Sequence, residues 1–252
     1  MPDNTRIDRC LRCLRYAICG VLMPLISFEG LAMIESKSVF IDPQVMPMAE
    51  AIIRGDVAQI HQLATEKLLE QRGDQSITLL QWAILNQQPK SLLALLDKNA
   101  DPLQPGLQGN SALHTAASVK DPRYLQILLD RHLKPDVRNS ITSATPLAAA
   151  VMAGRQDQVM MLLAAGADPN LPDRLGDTPL HLAGKINAPE LALLLLRAGA
   201  NPALRNKQKA TFQQYFAMTP VHLQTSEMQS KYQQLNEWLR SHQLVELYQK
   251  QP

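Results

Sequence analysis

The stretch 176-GDTPLHLAGKINAPELALLLLRAGANP-202 carries the punctuation of two short helices. Thr178 suits an N-cap, because its hydroxyl can accept from the free amides of a first turn. Pro179 falls at the first helical position, where its missing N–H costs nothing. Leu180 and Ala183 then share one face at helical spacing. Asn187 is predicted to end this helix in the left-handed conformation, a place taken by Gly154 one unit earlier. A second helix is predicted from near Pro189, with Leu191, Leu194 and Leu195 inward and Gly199 closing it. Asn201-Pro202 turns the chain out into a loop.

The pattern recurs in register. Thr178 is preceded by Thr145, Ser111 and Thr78 and followed by Thr211, with successive gaps of 33, 34, 33 and 33 counted from Thr78. A further 32 residues back, Ala51 stands where later units have Ala83, Ala116, Ala150, Ala183 and Phe216. No single unit can bury its own Leu stripe, so each requires neighbours. The first and last units depart most from the pattern, as end units of a stack do when one side meets water. The unit at Ser111 has Lys120 where Gly is usual, and the link Lys134-Pro135-Asp136 is irregular. The stack is expected to bend or loosen there.

Thr-Pro-Leu-His-x-Ala, a Leu-Leu pair and Gly-Ala-Asn-Pro, complete between Thr178 and Pro202 and matched in part at this period by the other units, resemble the ankyrin repeat. The resemblance covers roughly Met46 to Phe216. It implies an all-α fold: an ankyrin-repeat solenoid of about five to six helix–turn–helix units with loop or β-turn fingers and a C-terminal capping helix. The expected domains are a signal peptide (1–32), a linker (33–45), the repeat domain (46–216) and a capping helix with tail (217–252). Within the last, Tyr232, Leu235, Trp238 and Leu239 lie on one helical stripe. Glu227 to His242 therefore reads as a long closing helix, with docking of a partner as the alternative.

Arg6, Arg9, Arg12 and Arg15 precede an uncharged apolar run from Tyr16 to Phe28, and Gly30-Leu31-Ala32 then offers small residues. This is the order of a secretory signal peptide, with cleavage expected after Ala32. An uncleaved N-terminal helix is the alternative. The run is short for a membrane span, which takes about 20 residues, so no stable membrane insertion is expected after cleavage. The expected location is outside the cytoplasm, in a periplasm. Cys10, Cys13 and Cys19 all lie in the removed segment, and a thiol-free body suits an oxidising compartment.

Composition and motifs narrow the function. Net charge is +2 and aromatics make up 4% of the chain. A nucleic-acid binder usually shows a strongly basic face, and none is expected as a partner. Cys10-Leu-Arg-Cys13 is an isolated CxxC, which lacks the second ligand pair of a zinc site. No HExxH, phosphate-binding loop, G-x-S-x-G or Gly-rich dinucleotide loop occurs. His114 and His181 occupy the motif's His position, where the resemblance implies bonds within and between units. No catalysis, cofactor or metal is expected. The competing reading is an enzyme or metal protein whose site is assembled from scattered residues such as His132, His222 and Asp173.

Function then rests on surface. The resemblance implies a concave partner-binding face formed by finger tips and the exposed side of the first helices. Carried over position by position, it comprises Leu107, Gln108, Asn110 and Val119; Ile141, Thr142 and Met152; Arg174, Leu175, Asp177, Lys185 and Ile186; and Lys207. Leu107, Ile141, Leu175 and Ile186 are apolar where solvent exposure is expected. Such a row suits a protein interface, unless each side chain packs on its neighbour's loop. The expected function is an exported, monomeric protein-binding module acting by stoichiometric interaction. Its expected role is that of an immunity protein against a secreted antibacterial effector. A periplasmic helper of an envelope enzyme such as a catalase is the alternative.

Overall fold

The computed structural model describes residues 39–216, 225–242 and 244. The chain divides after Glu35, and every described residue belongs to the second unit, Ser36–Pro252. The expected signal peptide, its cleavage point and His222 lie outside the described residues.

Among the described residues, thirteen α-helices form and no strand does; one isolated bridge pairs Arg72 with Thr78. Six helix pairs account for twelve of them. They are α1 (Met46–Arg54) with α2 (Val57–Leu63), α4 (Leu79–Leu85) with α5 (Pro89–Asp97), and α6 (Ala112–Ser118) with α7 (Arg123–Leu129). Then follow α8 (Pro146–Met152) with α9 (Gln156–Ala164), α10 (Pro179–Lys185) with α11 (Pro189–Arg197), and α12 (Phe212–Phe216) with α13 (Ser226–Ser241). A single turn, α3 (Glu66–Leu69), follows the first pair.

The start signals act as the sequence predicts. Thr145 heads α8, its hydroxyl accepting from the Ala148 amide at 3.2 Å, and Thr178 heads α10 with Pro179 at the first position. Gly154 (φ 66°), Asn187 (φ 57°) and Gly199 (φ 92°) take the left-handed conformation that ends their helices.

First helices pack in the order α1, α4, α6, α8, α10, α12, each against the next. Their facing sides hold the core: Ala51, Ala83, Ala116, Ala150, Ala183 and Phe216 are all buried to zero exposure. Small residues there let the first helices approach closely, while the second helices bury Leu92, Leu95, Leu125, Leu128, Leu162, Leu191 and Leu195. Leu194 is only half-buried; Leu193 is buried in its place.

The second helices also stack, except that α7 and α9 meet only weakly. This is the junction beside Lys120. Helix α6 ends at Val119 in extended backbone rather than in a left-handed turn, which leaves its last carbonyls without the usual cap. Side chains of the next unit take them up: Arg155 Nε donates to the Ser118 carbonyl at 3.0 Å and buried Gln158 Nε2 to that of Val119 at 2.6 Å.

At the C-terminal end, α13 starts at the N-cap Thr225, whose hydroxyl accepts from the Met228 amide. It buries Tyr232, Leu235 and Leu239 against α11, and Tyr232 Oη donates to Asn187 Oδ1. Phe216 and Tyr232 meet edge to face at 5.5 Å. At the other end the expected linker is corrected. Phe40 and Val45 are buried, and the Phe40 ring packs edge-on against Trp82 at 5.5 Å. Val39, Phe40 and Val45 are thus packed on the body, while residues 41–44 between them are exposed.

Candidate functional site: the row of fingers

Between each helix pair the chain runs out and back as a tight turn. Three of these fingers are built on one side chain each. Asn139 Oδ1 accepts from the amides of Ile141 and Thr142, both at 2.8 Å. Asp173 Oδ1 accepts from Leu175 and Asp177 at 2.8 and 2.9 Å, and Asn206 Oδ1 from Gln208 and Ala210 at 3.0 and 3.1 Å. Asn and Asp favour such turns because their short carboxyl or amide oxygen reaches backbone two residues on. In the second finger the corresponding residue is Gly106, and Gln81 Oε1 accepts from Leu107 N instead. A Cβ at Gly106 would stand 2.1 Å from that oxygen, so a larger residue there would displace the Gln81 amide.

Backbone bonds tie the second finger to the third, the third to the fourth and the fourth to the fifth. Ser140 N donates to Gly109 O at 3.0 Å, Arg174 N to Thr142 O at 2.7 Å, and Lys207 N to Leu175 O at 3.0 Å. The close approach depends on Gly176 (φ 81°), where a Cβ would lie 2.9 Å from the Lys207 amide nitrogen. The tips therefore form one continuous row with fixed spacing.

Most of the sequence-derived surface residues fall along it or beside it. Ile141 is 56% exposed and Leu175 62%, and Thr142, Arg174 and Lys207 are exposed. Met152, at the end of α8, is exposed too. Leu107, Gln108, Asn110, Val119 and Ile186 are half-buried, so Leu107 and Ile186 pack partly on their surroundings rather than standing free.

Asp177 is a correction: it is 1% exposed and cannot meet a partner. Its Oδ2 pairs with Lys185 Nζ and its Oδ1 accepts from Asn206 Nδ2 at 2.7 Å. Lys185 also lies 5.0 Å from the centre of the Tyr215 ring, and Tyr215 Oη accepts from Asn206 Nδ2 at 2.6 Å. The sequence pattern missed this because Asp177's partners lie in its own unit's helix and in the next finger. The signal available was an acidic residue just before the marker Thr, where other units have Ile, Asn or Ala.

His114 and His181 are structural. His181 Nδ1 meets the Thr178 amide and hydroxyl at 3.2 and 2.8 Å, and Nε2 meets the Ala210 carbonyl of the next unit at 3.0 Å. His114 does the same with Ser111 and Ala144. An imidazole serves because a neutral ring offers one acceptor and one donor on opposite sides. Burial pushes His114 down to about 4, against the opposing effect of the Ala144 carbonyl, and lowers His181 for the same reason. Gln81 fills the equivalent place with an amide: Oε1 accepts from Thr78 N, and Nε2 donates to Asn110 O at 3.0 Å.

His132 is exposed and left-handed at the end of α7, and Asp173 Oδ1 is committed to its turn. Among the described residues, no group of three His, Cys, Asp or Glu side chains could hold a metal ion. Among them, too, no helix is long and apolar enough to cross a membrane.

Paired helices stacked in register, a tied row of fingers and a His bridging successive units define the ankyrin-repeat proteins, and this chain belongs to them. A family model described as "Ankyrin repeats (3 copies)" matches residues 113–206. Protein PhlB of Serratia liquefaciens is 50% identical over 187 residues, which cover 74% of this chain and 82% of PhlB. NF-kappa-B inhibitor alpha of Homo sapiens is 31% identical over 134 residues, 48% of this chain and 42% of that protein. Among solved structures, the ankyrin repeat domain of Bcl-3, described as a unique member of the IkappaB protein family, aligns with a TM-score of 0.63. That alignment has 25% identity and covers 75% of this chain and 84% of that one.

Proposed function

We propose that this ankyrin-repeat protein is exported and works as a stoichiometric protein-binding module, in the role of an immunity protein that occludes a secreted antibacterial effector. The observation that carries the binding reading is the tied row of fingers with Ile141 and Leu175 more than half exposed. Exposed apolar side chains set on a rigid row with polar neighbours suit a protein interface. Occlusion needs no chemistry, only a surface already in its bound geometry, and pre-organisation removes much of the ordering cost of association.

Export is supported by the basic, apolar, small-residue order of the first 32 residues and by the absence of cysteine after Cys19. The first residue of the protein recovered from an extracytoplasmic fraction tests it: Met33 is expected, and an intact Met1 contradicts export with cleavage. The role is tested by deleting the gene and co-culturing with isogenic kin. Immunity predicts that the deletion strain is killed and that re-expression protects it. A helper role predicts the loss of an envelope enzyme's activity and no killing.

A further inference from the structure

The charge along the finger row is lopsided. Counted over the same register, the first two fingers carry a single cation, exposed Arg72, beside the acidic Asp74. The last three carry Arg138, Arg174, Arg205, Lys207 and Lys209, all exposed. Asp136 lies close enough to Arg138 to act on it, and the tips themselves carry Asp173 and Asp177. One is bonded inside its turn and the other is buried against Lys185. Among the described residues, none of the five cations takes part in an ion pair.

Two of these cations are also fixed in direction. Arg138 Nη1 donates to the carbonyls of Ser143 and Pro172 at 2.8 and 2.5 Å, and Arg205 Nη1 to that of Lys209 at 2.7 Å. Carbonyls hold the guanidinium groups in place without neutralising them. The backbone bonds from Arg174 to Thr142 and from Lys207 to Leu175 set the order along the row. Apolar and cationic side chains therefore alternate: Ile141, Arg174, Leu175, Lys207. Like charges gathered this way repel one another, and an anionic surface brought against them relieves the repulsion.

We infer that the partner docks on the last three fingers through an acidic patch with apolar side chains set among its carboxylates. This rests on the reading of the chain as a protein-binding module and adds the chemistry of what it binds. A nucleic acid fits the row less well. No Phe, Tyr or Trp stands between Arg138 and Ala144, Pro172 and Asp177, or Arg205 and Ala210 to stack on bases. A bilayer fits less well too, because insertion scales with apolar area and two separate side chains offer little.

The test places a photo-cross-linking residue at exposed Thr142 in the full chain, expressed in its host. The expected result is an adduct to one protein, joined through a segment rich in Asp and Glu. The purified adduct partner should then bind Arg174→Glu/Lys207→Glu about tenfold or more weakly at low salt, with the gap narrowing as salt is raised. Both replaced side chains are exposed, and an unchanged melting curve shows that the variant is folded. An adduct through a neutral or basic segment, with binding unmoved by the charge reversal, overturns the acidic-patch inference and leaves the protein-binding reading standing. No protein adduct at Thr142 overturns both. Co-sedimentation with phosphatidylglycerol vesicles, or retention of a single-stranded oligonucleotide, that the charge reversal abolishes also overturns the inference.

Discussion

His114 stands between two units and serves both, and its chemistry can be separated from its shape. His114→Ala removes the partners of the Ser111 amide and the Ala144 carbonyl and leaves a void, so it should cost about 2–4 kcal/mol in urea denaturation. His114→Gln should cost less than about half of that, because Gln81 makes the equivalent bonds two helices earlier. The pH dependence has a definite sign. At neutral pH the residue is unprotonated whether folded or not. Below its ordinary value of 6.5 the unfolded chain takes up a proton, while burial holds the folded residue unprotonated down to about 4. Stability therefore falls as pH drops through that window, by about 2 kcal/mol between pH 7 and pH 5 from this residue. The lowered His181 adds to it. Denaturation midpoints at the two pH values should converge partly in His114→Gln. Much of this was legible in the sequence, because the capping Thr, the Pro after it and the His act on neighbours at fixed short spacings. Asp177 was not legible as a buried residue, since burial came from Lys185 and Asn206, the latter 29 positions away.

Helices follow the same division. Their pairing and several of their ends were readable from a period near 33, from Pro at the start and Gly or Asn at the end, but the single turn α3 was not. The closing helix, expected at Glu227 to His242, is observed at Ser226–Ser241, because the Thr225 cap and the Tyr232, Leu235, Leu239 stripe are local signals. Lys120 and the 134–136 link marked the one irregular junction, but not what holds it. Where α7 and α9 barely meet, Gln158 and Arg155 bond the end of α6 across the gap. Gln158→Ala removes the side-chain partner of the half-buried Val119 carbonyl and should cost about 1 kcal/mol, measured by chemical denaturation. Because the lost bond joins units three and four, hydrogen exchange should rise first in α6 and α7. A uniform rise across all helices would contradict a local junction.

Across the whole molecule, the repeats serve to hold finger tips at fixed spacing. The core is made of residues that the repeat pattern dictates, and the positions it leaves free carry the surface chemistry. Those free positions were identifiable in the sequence. Their exposure was not: Ile141 and Leu175 stand out, while Leu107 and Ile186 rest partly on adjoining structure. That difference arises from how each tip leans on the next, which no single unit encodes. Ile141 and Leu175 are more than half exposed, so changing these two tips should alter binding and spare stability. The most direct measurement is a calorimetric titration of the purified partner against the protein and against Ile141→Asp/Leu175→Asp, with the melting temperature of each recorded. The melting temperature should be unchanged and binding weakened by about a hundredfold or more, as for the loss of a central apolar anchor. Unchanged affinity in a variant that melts normally would contradict binding through these tips.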